Sequence, residues 1–133
     1  MWTNKDKKQS VDITINLDNG LYIMDSAFGK TRLTNLIKLL EAHGEPVVGY
    51  TYNDYLENKY DFREYLDRKN PKVIILDRYD MYFEAYKDVL EKWRNKAIVL
   101  VDSKYSGYSY VVPQDDDMVL IEMTETSITV DRY

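Results

Sequence analysis

Gly29-Lys30-Thr31, in the stretch GLYIMDSAFGKTRL, carries residue types suited to holding a phosphate. A glycine lets backbone N–H groups turn inward around phosphate oxygens, and a helix that follows points its positive end at the anion. The lysine supplies a mobile cation, and the threonine hydroxyl can ligate magnesium. A full G-x-x-x-x-G-K-[ST] loop would place its first glycine at position 24, where this chain has Met24. A second set of chemical groups follows the apolar run VIIL, in Asp77-Arg78-Tyr79-Asp80. An acid, a cation and a phenol there could form a catalytic cluster, and the plainer expectation is a strand end followed by a helix cap at Asp80.

The elements that must position these groups are legible in the hydropathy pattern. VDITINL alternates apolar and polar residues as a half-buried strand does, and Asp18-Asn19-Gly20 offers the chemistry of a tight hairpin turn into LYIM. LYIM is nearly all apolar and predicts a strand covered on both faces. After Gly29, the spacing of Leu33, Leu36, Ile37 and Leu40 predicts a helix to about His43, stopped by Gly44 and Pro46. PVVGYTY predicts the next strand. A helix capped by Asn53 or Asp54 is expected over LENKYDFREYLDRK, closed by Pro71.

VIILD is the most strand-like run, and AIVLVD a further buried strand. Between them a helix is expected from Asp80 to about Arg94, with Phe83, Tyr86, Leu90 and Trp93 inward. SKYSGYSYVVPQDDD reads as a long connection with a short edge strand at YSYVV. MVLIEM, a turn at TETS and SITVDRY predict a final hairpin. Together these predict an α/β fold, a three-layer sandwich with a mainly parallel central sheet and antiparallel hairpins at the N- and C-terminal strands. The whole chain, residues 1–133, is expected to form one domain. Right-handed crossovers would bring Asp25, Asp77 and Asp102, which follow three of the strands, to one sheet edge.

At that point the chain resembles the P-loop NTPase superfamily, on the motifs GKT and VIILD. INLDNGLYIMDSAFGKTRLTNLIKLL is similar to the opening of its ATP-binding-cassette and AAA-like branches. The resemblance implies that ATP or GTP with Mg2+ binds at Ala27, Phe28, Gly29, Lys30, Thr31 and Arg32. It further implies that Thr31 and Asp77 complete the magnesium shell. Arg32 and Lys38 also read as ordinary surface charges. Met24 replaces a glycine, and Arg78 follows Asp77 where the family's ATPases carry a glutamate. The loop is therefore degenerate, and hydrolysis is expected to be poor or absent.

Composition limits the alternatives. With no cysteine, disulfides and thiolate metal sites are excluded, and the single His43 excludes a histidine triad or multi-histidine metal site. His43 reads as a group serving a helix C-terminus. A net charge of −5 argues against direct nucleic-acid binding through a basic face. No apolar run approaches the ~20 residues that cross a bilayer, so a cytoplasmic protein that does not bind membrane is expected. Gln114 with Asp115, Asp116 and Asp117 lacks the spacing of a calcium loop and reads as a solvated turn. Thirteen tyrosines suit both packing and partner surfaces. They support a second reading, a catalytically inactive acidic inhibitor or adaptor that binds a protein partner, of the kind phages and mobile elements encode.

Overall fold

The computed structural model describes residues 2–3, 12–24, 36–38, 46–101, 117–123 and 127–132. Their strands are β1 (Trp2–Thr3), β2 (Asp12–Ile15), β3 (Gly20–Met24), β4 (Val47–Tyr50), β5 (Val73–Leu76), β6 (Ile98–Val101), β7 (Asp117–Met123) and β8 (Ser127–Arg132). All eight join one sheet in the order β1-β2-β8-β7-β3-β6-β5-β4. Strands β3 to β7 run parallel, β8 returns antiparallel to β7, and β1 pairs antiparallel with β2. The fold is α/β, with a mainly parallel sheet and antiparallel pairs at both chain ends.

Helices cover both faces. Residues 36–38 are the described part of helix α1; α2 (Tyr52–Glu57), α3 (Phe62–Lys69) and α4 (Lys87–Trp93) follow. Alternation along the strands divides the core. Leu21, Ile23, Tyr50, Ile74, Leu76, Val99 and Val101 pack with Phe62, Leu66, Leu90 and Trp93 on the α3–α4 side. Tyr22, Met24, Val73, Ile75 and Leu100 pack with Leu36 on the α1 side. The chain crosses from β3 out to β4 on the α1 face and works back through β5 and β6 on the other. Opposite faces for outward and return connections are what a single crossover hand requires. At Gly49 of β4, an added Cβ would lie 2.6 Å from Ile37 Cδ1, so α1 seats on the strand where a side chain is missing.

Three sequence expectations need correction. The run VDITINL does not form a hairpin with LYIM: β2 pairs parallel with β8, and both β8 and β7 lie between β2 and β3. A tight primed turn needs positive φ at its central residues. Neither Asn19 nor Gly20 has it. Being buried from Leu21 to Met24, β3 takes a central place between β6 and β7 instead.

The expected helix over LENKYDFREYLDRK is two helices. Asn58 adopts φ 47° and closes α2, and Asp61 caps α3 through the amides of Arg63 and Glu64. The α2 cap is Thr51, which accepts from the Asp54 amide while the Asp54 carboxylate accepts from the Thr51 amide, a reciprocal capping box. The helix expected from Asp80 is two 3₁₀ turns, Tyr79–Met81 and Phe83–Ala85, before α4 begins at Lys87. Tyr86, Leu90 and Trp93 are buried as expected, while Phe83 is half-buried and packs at the edge of the core. The final hairpin forms as β7 and β8. The first helix's ends, the YSYVV strand, the TETS turn, His43 and the aspartate run at 115–116 lie outside the described residues.

Candidate functional site at the carboxyl edge of the sheet

Strand β5 is buried at every position and ends on Asp77, which is 7% exposed. Among the described residues it is the only buried side chain of a charged type. The ladder carries on through it, since the Asp77 amide donates to the Tyr50 carbonyl at 2.9 Å. Parallel register sets Tyr50, Leu76, Val101 and Ile23 in one row across β4, β5, β6 and β3. One residue further, Asp77 lies level with Met24, two strands away. At normal strand spacing that is roughly 10 Å. Continued alternation assigns Asp77 to the same sheet face as Met24 and Val73, the face that α1 covers.

A carboxylate removed from water costs on the order of several kcal/mol unless charge or hydrogen bonds compensate it. No described residue donates a hydrogen bond to the Asp77 carboxylate. Its neighbours instead fix its main chain. The Tyr82 hydroxyl donates to the Asp77 carbonyl at 2.6 Å and lies 3.2 Å from the Tyr50 carbonyl. Arg78 turns the chain in the left-handed region, φ 51° and ψ 45°. That conformation is uncommon for a residue with a Cβ.

Behind Asp77 lies a cluster of rings. Tyr50 stacks on Phe62 with centroids 3.9 Å apart and meets Tyr82 and Tyr86 edge-on. Its hydroxyl lies 3.3 Å from that of Tyr86. Tyr55 stacks on Tyr82 at 5.4 Å, and Tyr79 meets Tyr82 edge-on at 5.5 Å. Burial, then the Asp77 charge, pushes the Tyr82 phenol well above its ordinary pKa; burial, then the Tyr86 hydroxyl, does the same for Tyr50. Burial and the nearby Asp54 push Tyr60 up to about 12. These phenols stay protonated at neutral pH.

Further out, residues Asn58 to Arg63 and Tyr86 line a shallow open groove of about 490 Å³. Arg63 grips Asp88 through two nitrogens at 2.7 Å each, donates to the Ala85 carbonyl and lies over the Tyr86 ring at 4.9 Å. The Asp88 carboxyl is held below its usual value by that guanidinium. Lys92 pairs with Asp67 one helical step on, so α3 and α4 are tied at two points.

Of the predicted site residues, Asp77 stands at the carboxyl edge as expected. Ala27, Phe28, Gly29, Lys30, Thr31 and Arg32 lie outside the described residues, as do Asp25 and Asp102. The Asp77-Arg78-Tyr79-Asp80 cluster does not form a catalytic grouping through Tyr79. That side chain is fully buried, and its hydroxyl donates to the Phe83 carbonyl at 3.3 Å. Asp80 sits within a 3₁₀ turn rather than at the head of an α-helix. Sequence reasoning missed Tyr82 and Thr51. Thr51 had a usable signal, an acid three residues on; Tyr82 had none, because its role depends on a turn that periodicity does not encode. No group of three or more potential metal-ligating acids or histidines forms among the described residues. No helix among them is long and apolar enough to cross a membrane. No family model, curated protein or solved structure matches the chain.

Proposed function

We propose that the protein binds a nucleoside triphosphate, ATP or GTP, with magnesium at the carboxyl edge of its sheet, and turns it over slowly or not at all. The observation that supports this reading is the buried carboxylate of Asp77, to which no described residue donates, level with the end of the strand from which the chain runs into Gly29-Lys30-Thr31. A hard divalent cation is a fitting counter-charge for such a group. In this reading Lys30 and the amides of Ala27 to Arg32 hold phosphate, and Thr31 and Asp77 hold the metal. Magnesium there would neutralise charge on the terminal phosphates. Arg78, following Asp77, offers no general base, which accounts for slow turnover unless a partner supplies one.

Thermal unfolding with and without nucleotide tests this. Mg-ATP or Mg-GTP should raise the Tm of the wild-type protein, and the shift should vanish in Lys30→Ala. A wild-type Tm unmoved by either nucleotide at millimolar concentration defeats the reading.

A second reading, an acidic interaction protein, is favoured by Leu56, Met81 and Tyr60, which are 60%, 42% and 37% exposed. Large exposed apolar side chains on a chain of net charge −5 suit a partner that buries them and carries basic residues. Such binding should weaken steeply with salt and survive Lys30→Ala.

A further inference from the structure

We infer that Tyr82 is a positioning residue for the metal-binding role of Asp77, acting through the main chain and not through the carboxylate. The inference rests on the nucleotide-binding reading. It concerns a residue to which neither the motifs nor the fold assigns any part in that site.

The loop from Asp77 to Tyr82 closes on itself. The Tyr82 hydroxyl returns to the carbonyl of Asp77 at 2.6 Å, short even for an O–H···O contact, and reaches the Tyr50 carbonyl at 3.2 Å. The Tyr50 carbonyl already accepts the Asp77 amide. One phenol thus bridges the ends of β4 and β5 at the residue where β5 delivers its acid. Nothing else described restrains that residue beyond the strand: the next one, Arg78, leaves in a left-handed turn, and no described donor holds the carboxylate.

Tyr82 itself has little freedom. It is 3% exposed, and Tyr50, Tyr55, Tyr79 and Tyr86 surround its ring at centroid distances of 5.6, 5.4, 5.5 and 6.1 Å. Its hydroxyl direction is therefore set by packing. Partners that orient a ligand typically change metal affinity by about 10- to 100-fold when removed. A bond to the ligand's main chain, one step further back, should fall at the low end of that range.

Tyr79 supplies an internal control. It is as buried as Tyr82 and belongs to the same ring cluster, but its hydroxyl goes to Phe83 and not to Asp77. The experiment compares wild type, Tyr82→Phe, Tyr79→Phe and Asp77→Asn. Whichever of ATP or GTP gives the larger thermal shift is titrated by calorimetry in the absence of metal, and magnesium is then titrated at saturating nucleotide. Tyr82→Phe should raise the magnesium midpoint about tenfold and leave metal-free nucleotide affinity unchanged. Tyr79→Phe should leave both unchanged.

An unmoved midpoint in Tyr82→Phe, with a displaced one in Asp77→Asn, overturns the inference and leaves the nucleotide reading standing. Equal displacement in both tyrosine variants also overturns it, because packing alone would then be responsible. An unmoved midpoint in Asp77→Asn, or no magnesium dependence in the wild type, removes the reading and the inference together. If Tyr82→Phe fails to fold, the ring resonances of wild-type Tyr82 and Tyr79 are followed while magnesium is added at saturating nucleotide. Tyr82 should shift and Tyr79 should not; a stationary Tyr82 overturns the inference.

Discussion

The two faces of the sheet solve burial in different ways. On the α3–α4 side, Tyr50, Tyr79, Tyr82, Tyr86, Phe62 and Trp93 form a core of rings in which Tyr50, Tyr79 and Tyr82 each place the hydroxyl within reach of an oxygen partner. On the α1 side, the described core is aliphatic apart from Tyr22, and Asp77 belongs by alternation to that face. A satisfied phenol, Tyr82, and a carboxylate with no donor among the described residues, Asp77, therefore stand at the two sides of the same strand end. The contrast teaches where rigidity is spent: polar groups that serve the fold are matched inside it, and a buried one with no described partner is a candidate site.

That comparison can be broken experimentally. The largest effect should come from Tyr50→Ala, which removes the ring at the centre of the cluster and should cost about 3–5 kcal/mol in denaturant unfolding. A loss under about 1 kcal/mol, on the scale of ordinary surface changes, would mean that the rings are not the stabilising half. Tyr82→Phe keeps the packing and removes one donor, so a loss of about 1–2 kcal/mol is expected. Asp77→Asn should act in the opposite direction. With metal absent, neutralising a buried carboxylate should raise stability by about 1 kcal/mol. A destabilised variant would show that the carboxylate is already compensated within the chain.

pH separates the two faces further. Raised phenol pKa values favour the protonated form in the folded state. Their contribution is whole below the unfolded value of 10.0 and is lost as pH rises through the folded one, about 12 for Tyr60. Alkaline unfolding should therefore set in between those values, with ionisation of Tyr60, followed by its own ring resonance, coinciding with loss of secondary structure. Ionisation of Tyr60 that precedes unfolding would contradict this. The smallest effect should come from Arg63 and Asp88, which are 48% and 63% exposed. Asp88→Asn should cost under about 1 kcal/mol. Because the Asp88 pKa is lowered, that difference should be present above the unfolded value of 3.8 and disappear as pH falls through the folded one.

Much of the fold was legible because buried parallel strands are written in runs. LYIM, VIIL and AIVLV needed no context to be recognised, and their order along the chain implied a sheet with helices on both faces. What failed was pairing. Asp18-Asn19-Gly20 has hairpin chemistry, but the two sides of β3 were claimed by β6 and β7, which lie 75 or more residues further on. Turn propensity is local, and competition for a central strand is not. Helix breaks failed for a related reason: Asn58 can end a helix through its left-handed conformation, yet the apolar stripe across it looks continuous. Asp77 was readable at the site as an acid closing an apolar strand. Tyr82 was not, since two 3₁₀ turns place it and no periodic signal marks them.

The pairing of β2 with β8 joins residues 12–15 to residues 127–130, and Asn16 reaches Asp131 across 115 positions of chain. Residues 12–15 therefore have β1 beside them early, and their β8 neighbour only once residues 127–130 have been made. A nascent chain halted just before Ser127 should leave residues 12–15 open to protease, and one extended through β8 should protect them.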